Sequence, residues 1–156
     1  MSSPIEGQII PDFELPNQDG TRVRLSDLYR EGPVVVFFYP KDDSPVCTKE
    51  ACAFRDAHQD FVDAGAQVVG VSSDSEESHR SFAGNHRLPY TLLSDAGGAV
   101  RKAWKIPKTL GIIDGRVTYV IDKGGKLQHI FSSQLQGTKH VKEALVAIGK
   151  AAAAGR

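Results

Sequence analysis

Cysteine is scarce in this 156-residue chain, which has only Cys47 and Cys52. Two thiols exclude a disulfide scaffold and a four-cysteine zinc site. An excess of either charge is also lacking, since 19 Lys plus Arg balance 19 Asp plus Glu. Without a positive field there is no basis for a dedicated binder of nucleic acid or of an anionic membrane surface. Long apolar runs are missing too. The longest, Val34 to Tyr39, is strand-sized, far short of the ~20 residues that cross a bilayer. No basic region followed by an apolar stretch marks the start, Met1 to Glu6, so the expectation is a cytoplasmic protein or, alternatively, a processed organellar chain. What is present, 40% hydrophobic and 24% charged residues, is the composition of a globular protein with room for one ordinary domain. The expected domain covers residues 1–150, with 151–156 as a flexible tail or fraying helix end.

The order of elements follows from pattern and punctuation. Asp12–Leu15 and Thr21–Leu25 flank the turn-rich Asn17-Gln18-Asp19-Gly20, which predicts an N-terminal hairpin. After Gly32-Pro33, Val34–Tyr39 is apolar at every position, as in a central strand buried on both faces. A long helix is predicted from Pro45 to Ala64, with Ser44 as N-cap, Pro45 at the first position and Gly65 as terminator. Gln67–Ser72 reads as a strand, Asp74–His86 as a helix with an Asp74/Glu77 capping box, Tyr90–Leu93 as a strand and Gly98–Lys105 as a short helix. Arg116–Ile121 and Lys126–Phe131 form a hairpin across Asp122-Lys123-Gly124-Gly125. A last helix capped by Thr138 carries Val141, Leu145 and Ile148 on one face. The alternation predicts an α/β fold with a mixed central sheet flanked by helices.

Both cysteines fall at a strand-to-helix junction, where open α/β sheets commonly place their chemistry. Cys47 would sit in the first helical turn, whose free N–H groups and positive dipole end favour an anion such as a thiolate. Taken alone, a small buried thiol is an equal reading. Cys52 adds a constraint. Five residues along a helix put the two Cα atoms roughly 8 to 9 Å apart, whereas a disulfide needs about 7 Å or less. If the two bond, the helix between them unwinds. A metal site from Cys47, Cys52 and His58 fails because Cys47 and His58 are roughly 16 Å apart along the helix axis. Most of the remaining histidines, His79, His86, His129 and His140, are expected at the surface. No metal and no cofactor is expected.

The run Pro40-Lys41-Asp42-Asp43-Ser44-Pro45-Val46-Cys47-Thr48-Lys49-Glu50-Ala51-Cys52 resembles the active-site loop of the peroxiredoxins, in particular their bacterioferritin-comigratory or peroxiredoxin Q subfamily. That signature is P-x-x-x-T/S-x-x-C, often with a second cysteine five residues on. The likeness extends to Pro11-Asp12-Phe13, Val69-Gly70-Val71-Ser72, Leu92-Leu93-Ser94-Asp95 and Gly115–Asp122, and it is similar to plastid and cyanobacterial sequences. The resemblance implies a thioredoxin-like fold and a peroxidase acting on hydrogen peroxide and organic hydroperoxides. It implies that Cys47 is the peroxidatic and Cys52 the resolving cysteine, joined in an intramolecular disulfide. Arg116 would stabilise the thiolate and orient the peroxide, Ser44 would offer its hydroxyl to a peroxide oxygen, and Pro40 would shape and shield the loop. Thioredoxin or a similar dithiol would be the reductant, the chain a monomer, and the organellar alternative a plastid. Val46 departs from the usual Gly and adds bulk beside the thiolate. Two other readings use the same cysteines. One is a thiol–disulfide oxidoreductase, for which the usual C-x-x-C is absent; the other is a redox-switched binding or holdase protein without turnover.

Overall fold

The computed structural model describes residues 4–108 and 113–154, with side chains through residue 150. A short hairpin of β1 (Glu14–Pro16) and β2 (Arg22–Arg24) opens the chain and leads into α1 (Leu25–Tyr29). The main sheet is built from β3 (Val34–Phe38), β4 (Gln67–Ser72), β5 (Thr91–Ser94), β6 (Val117–Ile121) and β7 (Leu127–Ser132), in the order β5-β4-β3-β6-β7. β3, β4 and β5 run parallel, and β6 and β7 pair antiparallel beyond β3. The helices are α2 (Pro45–Asp56), α3 (His58–Asp63), α4 (Glu76–His86), α5 (Ala99–Ala103) and α6 (Gly137–Ala154). This mixed sheet between helices, preceded by a hairpin, is a thioredoxin-like fold.

β3 is central, and its unbroken apolar run is buried at all positions. Alternate side chains serve opposite cores. Val35 and Phe37 join Phe54, Phe61, Phe82, Val141 and Ile148 on one face. Val34, Val36 and Phe38 join Leu25, Val71, Trp104 and Tyr119 on the other. On the first face Phe37 stacks on Phe54 of α2, ring centroids 4.4 Å apart. Gly70 of β4 makes room for that ring, because a Cβ there would stand 2.8 Å from Phe37 Cζ and 2.9 Å from Leu92 Cδ2.

Several boundaries differ from the sequence reading. The helix predicted over 45–64 is two helices, because Ala57 leaves helical geometry (φ −92°, ψ 1°). The turn brings Phe61 back beside Phe54 at 5.8 Å, and neither Gly nor Pro marks it. The cap of α4 is Ser75, whose side chain accepts from Ser78 N at 3.1 Å. Asp74 is engaged elsewhere, accepting from Ser72 Oγ (2.6 Å) and from Asp42 N (2.8 Å). Thr138 lies inside α6 and Arg116 just before β6. α6 runs through Ala154, so of the two readings of residues 151–156, helix end or tail, 151–154 take the first, and the last two lie outside the described residues.

Candidate active site

The loop after β3 delivers the chain into α2. Ser44 stands at the N-cap in extended conformation (φ −76°, ψ 150°), and Pro45 takes the first helical position. Ser44 does not cap with its side chain as expected; its hydroxyl donates to Lys41 O at 2.9 Å. Cys47 is therefore third in the helix, 1% exposed, and Cys52, half-buried, lies on the next turn and a half. Both are free thiols. Pro40, half-buried, follows Tyr39 at the end of β3.

Arg116 arrives from the residue before β6 and is 3% exposed. Its Nη2 donates to Cys47 Sγ at 3.1 Å, its Nη1 to Glu50 Oε1 at 2.7 Å and its Nε to Gln134 O at 3.0 Å. The planar guanidinium is thus held on three sides, with one of its N–H groups directed at the sulfur. Four of the five expected site residues, Cys47, Cys52, Ser44 and Arg116, are placed around or within the first turns of α2, and Pro40 enters the loop that leads there. The side-chain hydrogen bond that joins two of them, among the described residues, is that of Arg116 with Cys47.

Residues that the sequence reading did not single out complete the site. Glu50 is fully buried one turn after Cys47. Burial pushes its carboxyl up to about 8 against the opposing pull of Arg116. Below that pH Glu50 is largely neutral, and the charge of Arg116 remains available to the sulfur. Glu50 Oε2 is buried without a hydrogen-bond partner, with His140 Nδ1 3.5 Å away. His140 is also fully buried, as is His79, so two of the four histidines of which most were expected at the surface are in the interior. His140 Nε2 faces Ser133 O at 2.9 Å, an acceptor, so Nε2 carries the proton and Nδ1 accepts from Thr118 Oγ1 at 2.7 Å. Burial lowers its pKa to about 4, leaving the ring neutral at pH 7. Arg101, buried in α5, ties the strand ends together by donating to Tyr39 O (3.0 Å) and Gly115 O (2.8 Å). The one signal for Glu50 is its i+3 spacing from Cys47, which shares a helix face.

The other buried histidine, His79, braces the loop. Asp42 Oδ2 faces His79 Nδ1 at 2.8 Å and accepts from Ser78 Oγ at 2.8 Å, while Asp42 Oδ1 accepts from Tyr39 OH at 2.6 Å. His79 Nε2 lies 2.9 Å from Leu93 O. Among the described residues, Asp42, Asp74 and His79 are the one group whose ligating atoms gather within 4.8 Å. Each of the three side chains already hydrogen-bonds to protein partners, so the donor set fits a brace and not a metal.

Comparison with known proteins agrees with this geometry. Residues 7–130 match the AhpC/TSA family. The chain is similar to the chloroplastic peroxiredoxin Q of Sedum lineare, at 51% identity over 90% of this chain and 75% of that protein. It is similar to the chloroplastic peroxiredoxin Q of Gentiana triflora at 50% identity, again over 90% of this chain; there it spans 64% of the relative's length. Among solved structures it resembles the peroxidoxin BcpB of Mycobacterium tuberculosis, with a TM-score of 0.87, 41% identity and coverage of 94% of this chain and 97% of that one. It also resembles a Xanthomonas campestris bacterioferritin comigratory protein described for alkyl peroxide reduction, with a TM-score of 0.80, 28% identity and coverage of 90% and 92%.

Proposed function

Since this chain belongs to the AhpC/TSA family, with peroxiredoxin Q proteins among its relatives, we propose that it is a thiol peroxidase reducing hydrogen peroxide and organic hydroperoxides. The observation that carries the reading is the 3.1 Å contact of Arg116 Nη2 with the buried sulfur of Cys47. The Cys47 thiolate attacks one oxygen of the peroxide. An S–O bond forms, the O–O bond breaks, and the departing hydroxide or alkoxide takes up from solvent the proton that the thiol released, leaving as water or an alcohol beside a Cys47 sulfenic acid. Arg116 stabilises charge at both sulfur and peroxide, because its N–H groups are fixed before the substrate arrives. The Ser44 hydroxyl orients the peroxide, and Pro40 shields the reacting atoms from water.

Cys52 then resolves the sulfenic acid, and a dithiol such as thioredoxin reduces the resulting disulfide. Both cysteines lie in one intact helix, so the second step needs local unwinding of α2. The chain acts as a monomer in this reading. The chloroplastic names of the plant relatives support the plastid alternative beside the cytoplasmic one. Stopped-flow peroxide consumption tests the assignment: Cys47→Ser is expected to lose turnover entirely, and retained activity would reject it. Cys52→Ser is expected to consume one equivalent and stall without external thiol.

A further inference from the structure

Tyr90 lies just before β5, 5% exposed, with its ring edge-on to Phe37 at 5.7 Å. Its hydroxyl donates to Ala51 O at 2.7 Å. That carbonyl belongs to the peptide unit joining Ala51 to Cys52, so the phenol grips the peptide plane that carries the second cysteine. It is the one side-chain hydrogen bond onto the backbone between Cys47 and Cys52 among the described residues. Burial, reinforced by neighbouring Glu50 and Cys52, raises the phenol well above its ordinary pKa, which keeps the hydroxyl a donor.

The rest of α2 is held differently at its two ends. The first turn depends on Arg116, whose bonds reach Cys47 and Glu50, and oxidation of the sulfur changes one of them. The far half is anchored by Phe54 on Phe37 and by Arg55 Nη1 donating to His86 O at 2.8 Å. Tyr90 acts at the junction. The phenol bond is lost if unwinding of α2 carries the Ala51–Cys52 peptide out of the helix to bring Cys52 to Cys47.

We propose that Tyr90 is a positioning residue for disulfide formation, a brake that holds the peptide of Cys52 in α2 and so lengthens the life of the Cys47 sulfenic acid. The inference rests on Cys52 being the resolving thiol. In the braked step Cys52–SH attacks Cys47–SOH; the S–S bond forms, the S–O bond breaks, and the hydroxyl leaves with the thiol proton as water.

The test is Tyr90→Phe in the full chain, which keeps the ring on Phe37 and removes only the hydroxyl. Wild type and variant receive one equivalent of hydrogen peroxide, are quenched with an alkylating agent at intervals, and are read by mass spectrometry. The disulfide is expected to form about threefold to tenfold faster in the variant, the range that one net hydrogen bond represents. The rate of peroxide consumption in the first turnover is expected to be unchanged, a split that a merely structural defect would not produce. Amide hydrogen exchange across residues 48–55 of the reduced variant is expected to rise. A folded Tyr90→Phe protein with unaltered or slower disulfide formation overturns the brake while leaving the peroxidase reading intact. Absence of any Cys47–Cys52 disulfide in wild type overturns the brake and the resolving role together.

Discussion

Two buried polar networks serve the Cys47 loop, and they differ in how completely they are satisfied. Around Asp42, both carboxylate oxygens have partners, the backbone N–H is bound by Asp74, and His79 uses both ring nitrogens. Around Arg116, Glu50 keeps an unpartnered buried oxygen, and both Glu50 and His140 depart from their ordinary pKa values. A saturated network has one low-energy arrangement and serves as a frame. An unsaturated one carries the cost of a buried unpaired oxygen, and groups with perturbed pKa values of this kind gather at functional sites. The difference predicts that substitutions in the first network are felt in stability and substitutions in the second are felt in rate and pH dependence.

The largest effect is expected at Arg116. Arg116→Lys keeps the charge but cannot reach sulfur, carboxylate and carbonyl together, and the single-turnover rate with peroxide should fall by about 10² to 10³-fold. A loss below tenfold would remove the rate-bearing role from this network. Next, Asp42→Ala strands the Tyr39, Ser78 and His79 groups that it binds and should destabilise the fold by about 3 kcal/mol in urea denaturation. The folded variant should keep its peroxide rate within about tenfold, a smaller loss than removal of a charge-stabilising donor produces. An unaltered unfolding midpoint would show that the Asp42 network is not a frame.

The smallest effect is a pH dependence. Glu50 holds its proton more tightly folded than unfolded, about 8 against an ordinary 4.5, so its contribution to stability is complete below about 4.5 and lost as pH rises through 8. His140 is the reverse, about 4 against 6.5, so its contribution is present above 6.5 and lost as pH falls through 4. The two slopes offset between about 4.5 and 6.5, and above that Glu50 acts alone. Glu50→Gln should therefore abolish a decline of about 2 kcal/mol between pH 6.5 and 9, measured by denaturation at a series of pH values. A decline that persists in the variant would place the proton elsewhere.

The same contrast explains what could be read from the sequence. β3 was legible because a strand buried on both faces needs no alternation, and Val34–Phe38 shows none. Cys47 and Arg116 were legible through a motif whose chemistry is local to the loop and the strand start. Glu50, His79 and His140 were not, because each is polar, each sits in a helix that also has a solvated face, and their partners come from distant segments. Asp42 meets His79 across 37 residues and Glu50 meets Arg116 across 66. The break at Ala57 was equally hidden, since it follows from the return of Phe61 to Phe54 and not from any helix-breaking residue.

Gly70 carries the packing of the sheet outward to the helix of Cys47 and Cys52. An alanine there would drive its methyl into Phe37, and Phe37 is the surface on which Phe54 and hence α2 rests. A side chain of one carbon on β4 would force Phe37 or Leu92 to shift, since both stand within 3.0 Å of its position. The seat of the helix that carries both thiols therefore depends on an atom that β4 does not have, and tolerance to mutation at residue 70 concerns that helix as much as the core.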